Sequence, residues 1–200
     1  MQIGKILFPI TTLGPGRRLG IWTLGCTRFC KGCSNPELQI FDETKDISVQ
    51  KIFDETINMQ FDGLTISGGE PFINPHELKE LVELYVKAGF DDILIYTGYT
   101  IEELIAKNNS DIDYILTNIA VLIDGPFIES LVDNVPLRGS SNQRVIVLNS
   151  HYKEAYENIL KKEKTVDIFC FEDEVHFIGI PFKGYDELYK KLIARGRKYE

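Results

Sequence analysis

The sequence contains little that would take it into a membrane, onto nucleic acid or out of the cell. None of its apolar runs approaches the ~20 residues that span a bilayer. Positive charge is scarce: 22 Lys and Arg stand against 30 Asp and Glu, a net charge of −8. That balance excludes the basic footprint of a general nucleic-acid binder. The opening Met1-Gln2-Ile3-Gly4-Lys5 lacks the apolar core of a secretory signal. Repeats and low-complexity tracts are absent. Cysteine is scarce too, with four in 200 residues. A secreted disulfide framework would have more of them, spread along the chain. The expectation is a cytoplasmic protein with no membrane and no nucleic-acid partner.

What is present is ordinary globular composition, 44% apolar and 26% charged, at a length that suits one domain. Strand-like and helix-like segments alternate. Leu19–Leu24, Leu64–Ser67, Ile93–Tyr96, Ala120–Ile123 and Val145–Leu148 read as strands. Ser48, Asn74 and Thr100 read as helix N-caps, the last two with Glu77 and Glu103 placed for capping boxes. Tyr152–Lys161 reads as a further helix. Alternation of this kind predicts parallel β/α units. About five units are visible, fewer than the eight of a closed barrel. The predicted fold is therefore α/β, an incomplete β/α barrel with its core at about 20–150. A C-terminal appendage at about 165–200 completes a single domain, 1–200. It is read as a hairpin of Val166–Phe171 and Val175–Ile180 around Glu172-Asp173-Glu174. A final helix carries Tyr185, Leu188, Tyr189, Leu192 and Ile193 on one face. The appendage is expected to close one edge of the barrel.

Three of the four cysteines, Cys26, Cys30 and Cys33, fall within eight residues directly after the first barrel strand. Converging thiolates on a short loop are the usual ligands of an iron–sulfur cluster. Three of them leave one iron of a 4Fe–4S cubane open. Two alternatives stand beside this reading. Zinc would need a fourth ligand from a distant His. A thioredoxin-like Cys30-x-x-Cys33 would leave Cys26 unexplained. Cys170, between Phe169 and Phe171, is expected to be a small core residue.

Further motifs end the later strands. Ser67-Gly68-Gly69-Glu70-Pro71 ends the second, and its glycines permit close backbone approach to a ligand. Tyr96-Thr97-Gly98-Tyr99 ends the third and Asp124-Gly125-Pro126-Phe127 the fourth. Each is either a plain turn or a ligand contact at the face where barrels bind. Arg138–Arg144 precedes the fifth strand, with donors for a carboxylate or a partner's backbone. Gly14-Pro15-Gly16-Arg17-Arg18-Leu19-Gly20 only faintly suggests a dinucleotide loop and reads as a turn after Lys5–Ile10.

Cys-x3-Cys-x2-Cys followed one β/α unit later by Gly-Gly-Glu resembles the radical S-adenosylmethionine (SAM) superfamily. With Ser34–Glu37, Tyr96–Tyr99, Asp124–Phe127 and Arg138–Arg144, the stretch Gly20–Leu148 resembles the activating proteins of anaerobic (class III) ribonucleotide reductase. The resemblance implies a 4Fe–4S cluster on Cys26, Cys30 and Cys33 with SAM at the open iron. It implies that Gly68, Gly69 and Glu70 position the methionine end, that Tyr96 and Thr97 contact the cofactor, and that Asp124 meets the ribose. The reduced cluster would split SAM to a 5′-deoxyadenosyl radical that takes a hydrogen atom, with no general base. The implied partners are a larger glycyl radical enzyme, with Arg138 and Arg144 helping to dock its loop, and an electron donor such as flavodoxin or ferredoxin. One position departs from the superfamily pattern: Gly32 stands where an aromatic residue often packs near adenine, though glycine is also familiar there in small activating enzymes. A radical SAM enzyme acting on a small molecule or peptide, and a non-catalytic metal-binding module, are the alternatives.

Overall fold

The structure, a computed structural model, describes residues 1–170 and 175–180. One six-stranded sheet runs in chain order: β1 (Ile3–Ile10), β2 (Arg18–Thr23), β3 (Gly63–Gly68), β4 (Ile93–Tyr96), β5 (Val121–Asp124) and β6 (Arg144–Val147). The four central strands β2–β5 are parallel, and β1 and β6 flank them antiparallel. The antiparallel β6 corrects the expectation of a fifth parallel unit. No α-helix intervenes between β5 and β6, only a single 3-10 turn at Glu129–Leu131, so the helical crossover that usually joins parallel strands is missing. The sheet has open edges at β1 and β6, with no closed barrel among the described residues.

Helices α1 (Val49–Thr56), α2 (Pro75–Lys87), α3 (Ile101–Ala106) and α4 (Ser110–Asn118) fill the connections between parallel strands. Their starts are written in side chains. Ser48 Oγ accepts from the Lys51 N–H, and Asn74 Oδ1 from that of Glu77. Thr100 and Glu103 form the reciprocal capping box. Glu77 differs from expectation: its carboxylate takes the Asn74 side-chain amide and the Met1 amino group instead of closing a box. The sequence reading passed over α4 altogether. It is capped by Asn109, which accepts from the Asp111 and Ile112 N–H groups.

Strand periodicity divides the core. Leu19, Ile21, Leu64, Ile66, Ile93, Ile95 and Leu122 pack beneath the apolar stripes of α1, α2 and α4. The alternate residues point to the other face. There α5 (Lys153–Leu160) lays Tyr156 on Leu94, Val121 and Ile123.

The predicted hairpin is present as β7 (Asp167–Cys170) paired antiparallel with β8 (Val175–Ile178). It forms a separate two-stranded sheet and closes no edge of the main one. Instead Ile178 is buried face-on against Leu7, Ile10, Leu13, Trp22 and Leu38. Cys170 is exposed, which corrects its assignment to the core. Alternation places Phe169 inward and leaves Ile168 and Cys170 on the solvent side. The predicted turn at 172–174 and the predicted final helix lie outside the described residues.

Candidate active site

Because β2–β5 are parallel and in register, their C-terminal ends lie along one rim. Thr23 pairs with Gly68, and Tyr96 with Ile123. Ligands of open α/β sheets bind at this rim, beyond the carboxyl ends of the strands. Here the loops that follow these strands surround a cavity of about 680 Å³, lined by Cys26, Cys30, Cys33, Ser67–Glu70 and Tyr96–Gly98.

The cysteine loop winds tightly because Gly25, Phe29 and Gly32 have φ of 88°, 47° and 73°. A positive φ is costly at Phe29 and free at the glycines. Cys26 is buried, while Cys30 and Cys33 are half-buried. Burial pushes the Cys26 thiol up, against the pull of the Arg28 and Phe29 N–H groups. Arg28, between the first two cysteines, ties the loop to α3. Its guanidinium lies 4.1 Å from the centre of the Tyr99 ring and bonds Glu103 at 3.0 Å.

The glycine motif is stitched to this loop by backbone. The Gly69 N–H donates to Thr23 O at 2.9 Å, and the Glu70 N–H to Gly25 O at 2.8 Å. A Cβ at Gly68 would stand 2.3 Å from the Thr23 backbone, and one at Gly69 2.2 Å from Gly25 O. The glycines are therefore needed first for the chain's own close approach. Glu70 is 2% exposed. Its carboxylate accepts from Phe72 N–H (3.0 Å), Thr97 Oγ1 (2.8 Å) and Gly98 N–H (2.7 Å). Desolvation raises its pKa, opposed by those donors and by Arg28. The side chain is a brace between the β3 and β4 loops. Thr97 is buried within that brace and accepts from the Tyr99 N–H. The Tyr96 hydroxyl is buried without a hydrogen-bond partner among the described residues, and burial pushes its pKa up.

Asp124 ends β5. It is fully buried and does not line the cavity. One oxygen accepts from Arg144 Nε at 2.9 Å and the other from the Ile101 N–H at 2.8 Å. A carboxylate engaged in this way braces α3. Arg144 also grips Glu102 through its two terminal guanidinium nitrogens. Arg138 bonds the Asp133 carboxylate. Both arginines expected to reach outward are thus paired within the chain.

Several lining residues carry no functional signal in the sequence, namely Leu13, Trp22, Arg28 and the hairpin stretch Phe177–Ile180, whereas Phe127 belongs to the Asp124–Phe127 motif already singled out. Periodicity marks Trp22 and Leu13 only as apolar, and nothing local places the hairpin near the cysteines. Gly32 takes a φ of 73°, which strains any other residue, and a Cβ there would meet the Glu129 side chain at 3.2 Å.

The donor set fits an iron–sulfur cubane. Three thiols open on one cavity. Among the described residues no three His, Cys, Asp or Glu side chains are gathered closely enough for a single metal ion. A cluster of several irons is larger and accepts wider-set thiolates.

Comparison with known proteins agrees. The family described as a 4Fe-4S single cluster domain matches residues 12–146. This chain belongs to that family. An anaerobic ribonucleoside-triphosphate reductase-activating protein of Haemophilus influenzae is 34% identical over 139 residues, covering 65% of this chain and 87% of that protein. Its namesake in Escherichia coli is 33% identical over 144 residues, covering 66% and 89%. The Enterobacteria phage T4 namesake is 32% identical over 142 residues, covering 66% and 85%. At these identities and coverages the chain is a member of the reductase-activating family as well. The family match takes in the three cysteines and the motifs that end β3, β4 and β5. It stops before the hairpin.

Proposed function

We propose that this protein is a radical SAM activase that installs a glycyl radical on an anaerobic ribonucleotide reductase. One observation carries the reading: three thiols share a cavity with the Gly68-Gly69-Glu70 strand end, and backbone hydrogen bonds lock the two loops together. Cys26, Cys30 and Cys33 would hold a 4Fe–4S cluster. When bound, that cluster supplies the electron that splits SAM into methionine and a 5′-deoxyadenosyl radical.

The chain's own residues do the positioning. Gly68 and Gly69 fix the height of the cysteine loop above the sheet. Glu70 holds the Gly98 and Phe72 backbones, so the β3 and β4 loops move as one wall. Arg28 anchors the cysteine loop from the far side through Tyr99 and Glu103. SAM would lie along Ser67–Glu70 with Tyr96 and Thr97 beside it. The sheet is parallel-rich and open at both edges, and in this reading its uncovered side would admit a loop of the partner. A one-electron donor such as flavodoxin or ferredoxin would reduce the cluster, and such chemistry suits an anaerobic cytoplasm.

The test is electron paramagnetic resonance on the reductase after anaerobic incubation with this protein, SAM and a reductant. A persistent glycyl doublet is expected. It should vanish when Cys26, Cys30 or Cys33 becomes Ala, together with the bound iron. The hairpin on the cavity gives the alternative, a small molecule or peptide substrate, some footing. That alternative takes over if no doublet forms and a small molecule stimulates 5′-deoxyadenosine release instead.

A further inference from the structure

The family match ends at residue 146, and the hairpin begins at Asp167. Yet Phe177, Ile178, Gly179 and Ile180 line the same cavity as the three cysteines. We propose that β7–β8 is a wall of the SAM pocket, added to the family core, that shields the bound cofactor from solvent. The proposal rests on the activase reading for the identity of the cofactor.

Two kinds of contact seat the wall. The Asp167 carboxylate accepts from both Thr11 and Thr12, from the N–H and hydroxyl of each, at 2.7–3.2 Å. Thr12 Oγ1 also lies 3.1 Å from Ile178 O, so the turn after β1 clamps both strands of the hairpin. Beside this clamp Ile178 is 3% exposed and shares one apolar cluster with Trp22, itself 3% exposed. An ornamental hairpin would need neither a carboxylate holding four donors nor a buried isoleucine. The seat places apolar side chains opposite the polar loops that carry the thiols and Glu70. A radical generated between the two is protected from water and adventitious hydrogen donors only if both sides are closed. The family core supplies the first side, and the hairpin supplies the second.

Trp22 is the single tryptophan in the chain, so its fluorescence reports whether the hairpin is seated. Ile178→Asp should release the wall, and Thr12→Val should loosen it with little risk to folding. In SAM-free, cluster-loaded protein both variants should shift Trp22 emission to the red and raise its quenching by acrylamide. Iron and sulfide content should remain at the wild-type level. SAM affinity, measured by equilibrium dialysis, should fall about tenfold in Ile178→Asp and less in Thr12→Val, as expected when one apolar wall is lost. Unchanged Trp22 emission in both variants would overturn the seat. Released Trp22 with unchanged SAM affinity would overturn the wall. None of these readouts uses the reductase, so failure to form a glycyl radical would count against the activase reading alone.

Discussion

The two ends of the parallel sheet bury polar groups in opposite ways. At the N-terminal end Arg18 is fully buried, and the chain itself meets every need of its guanidinium. Nε donates to Thr65 Oγ1 at 2.6 Å, Nη1 to Asp92 Oδ2 at 2.7 Å, and Nη2 to Leu64 O and Asp92 O at 2.6 and 2.9 Å. Tyr156 then donates to Asp92 Oδ1 at 2.6 Å. At the C-terminal end the loops wind through left-handed φ values, glycines press on neighbouring backbone, and three thiols open on a cavity. One end is saturated by its own sequence. The other satisfies its backbone and leaves its sulfurs for something else. The difference separates residues that make the fold from residues that wait for a cofactor.

The largest effect should come from breaking the saturated end. Asp92→Ala leaves the Arg18 charge buried without its carboxylate and removes the acceptor of Tyr156. Loss of one partner from a buried pair costs about 3–5 kcal/mol. Urea unfolding of metal-free, reduced protein should show it. Cys30→Ala in the same assay should cost under about 1 kcal/mol while abolishing iron binding. If Cys30→Ala destabilised the metal-free fold as much as Asp92→Ala, the division between the two ends would collapse.

A pair of glycines sharpens the contrast at the next level. A Cβ at Gly69 meets Gly25 O at 2.2 Å, one residue before Cys26. Gly69→Ala should therefore cost about 1–3 kcal/mol, as overpacking against backbone does, and should also lower iron loading. Gly89 ends α2 with φ of 92° and has open space around its Cβ. Gly89→Ala should cost about 1 kcal/mol from the left-handed backbone alone, with iron loading untouched. Equal iron loading in the two variants would show that the Gly69 contact does not position the cysteine loop.

Much of this was legible in the sequence, for physical reasons that differ by region. The caps at Ser48, Asn74 and Thr100 and the strands from Leu64 to Ile123 follow from local periodicity and short-range hydrogen bonds. The cysteine spacing and the glycine pair are likewise local, so their meeting on one rim follows once β2 and β3 are parallel. What stayed hidden depends on distant partners. Asp124 looks like a free acid at a strand end until Arg144, twenty residues on, arrives through an antiparallel β6. Cys170 sits between two phenylalanines, yet strand alternation turns it outward. The hairpin's seat depends on Thr11, Thr12 and Trp22, more than 140 residues away, which no local pattern reports.

A smaller effect concerns the exposed ion pair at the rim. Arg144 donates to both oxygens of Glu102 and holds its carboxyl near about 2. An acid whose pKa is lowered in the fold adds stability above its ordinary value of 4.5 and loses it as pH falls through about 2. The stability difference between wild type and Glu102→Gln should therefore be constant from neutral pH down to about 5 and shrink below that. Because the pair is exposed, the difference should be small and should fade in high salt. The Asp92→Ala loss, at a site closed to solvent, should persist in the same salt. Equal salt sensitivity at both sites would erase the distinction between a saturated interior and an open rim.

The smallest effect belongs to the fourth cysteine. A cubane bound by three thiolates invites the question whether a fourth completes it, and composition alone offers Cys170. The fold answers through strand geometry. Cys170 ends β7 opposite Val175, exposed, on the face of the hairpin turned away from Trp22. It is absent from the cavity wall, although Phe177 and Ile178 of the partner strand, and Gly179 and Ile180 beyond it, are there. An exposed thiol offers Ser little packing to lose. Cys170→Ser should therefore leave stability within about 0.5 kcal/mol of wild type, as surface substitutions do. Iron and sulfide content should match wild type, and SAM cleavage should be unchanged. The decisive comparison is iron content in Cys170→Ser beside Cys33→Ala, both reconstituted anaerobically in parallel. Loss of iron in both would make Cys170 a ligand and would require the end of β7 to move to the cavity.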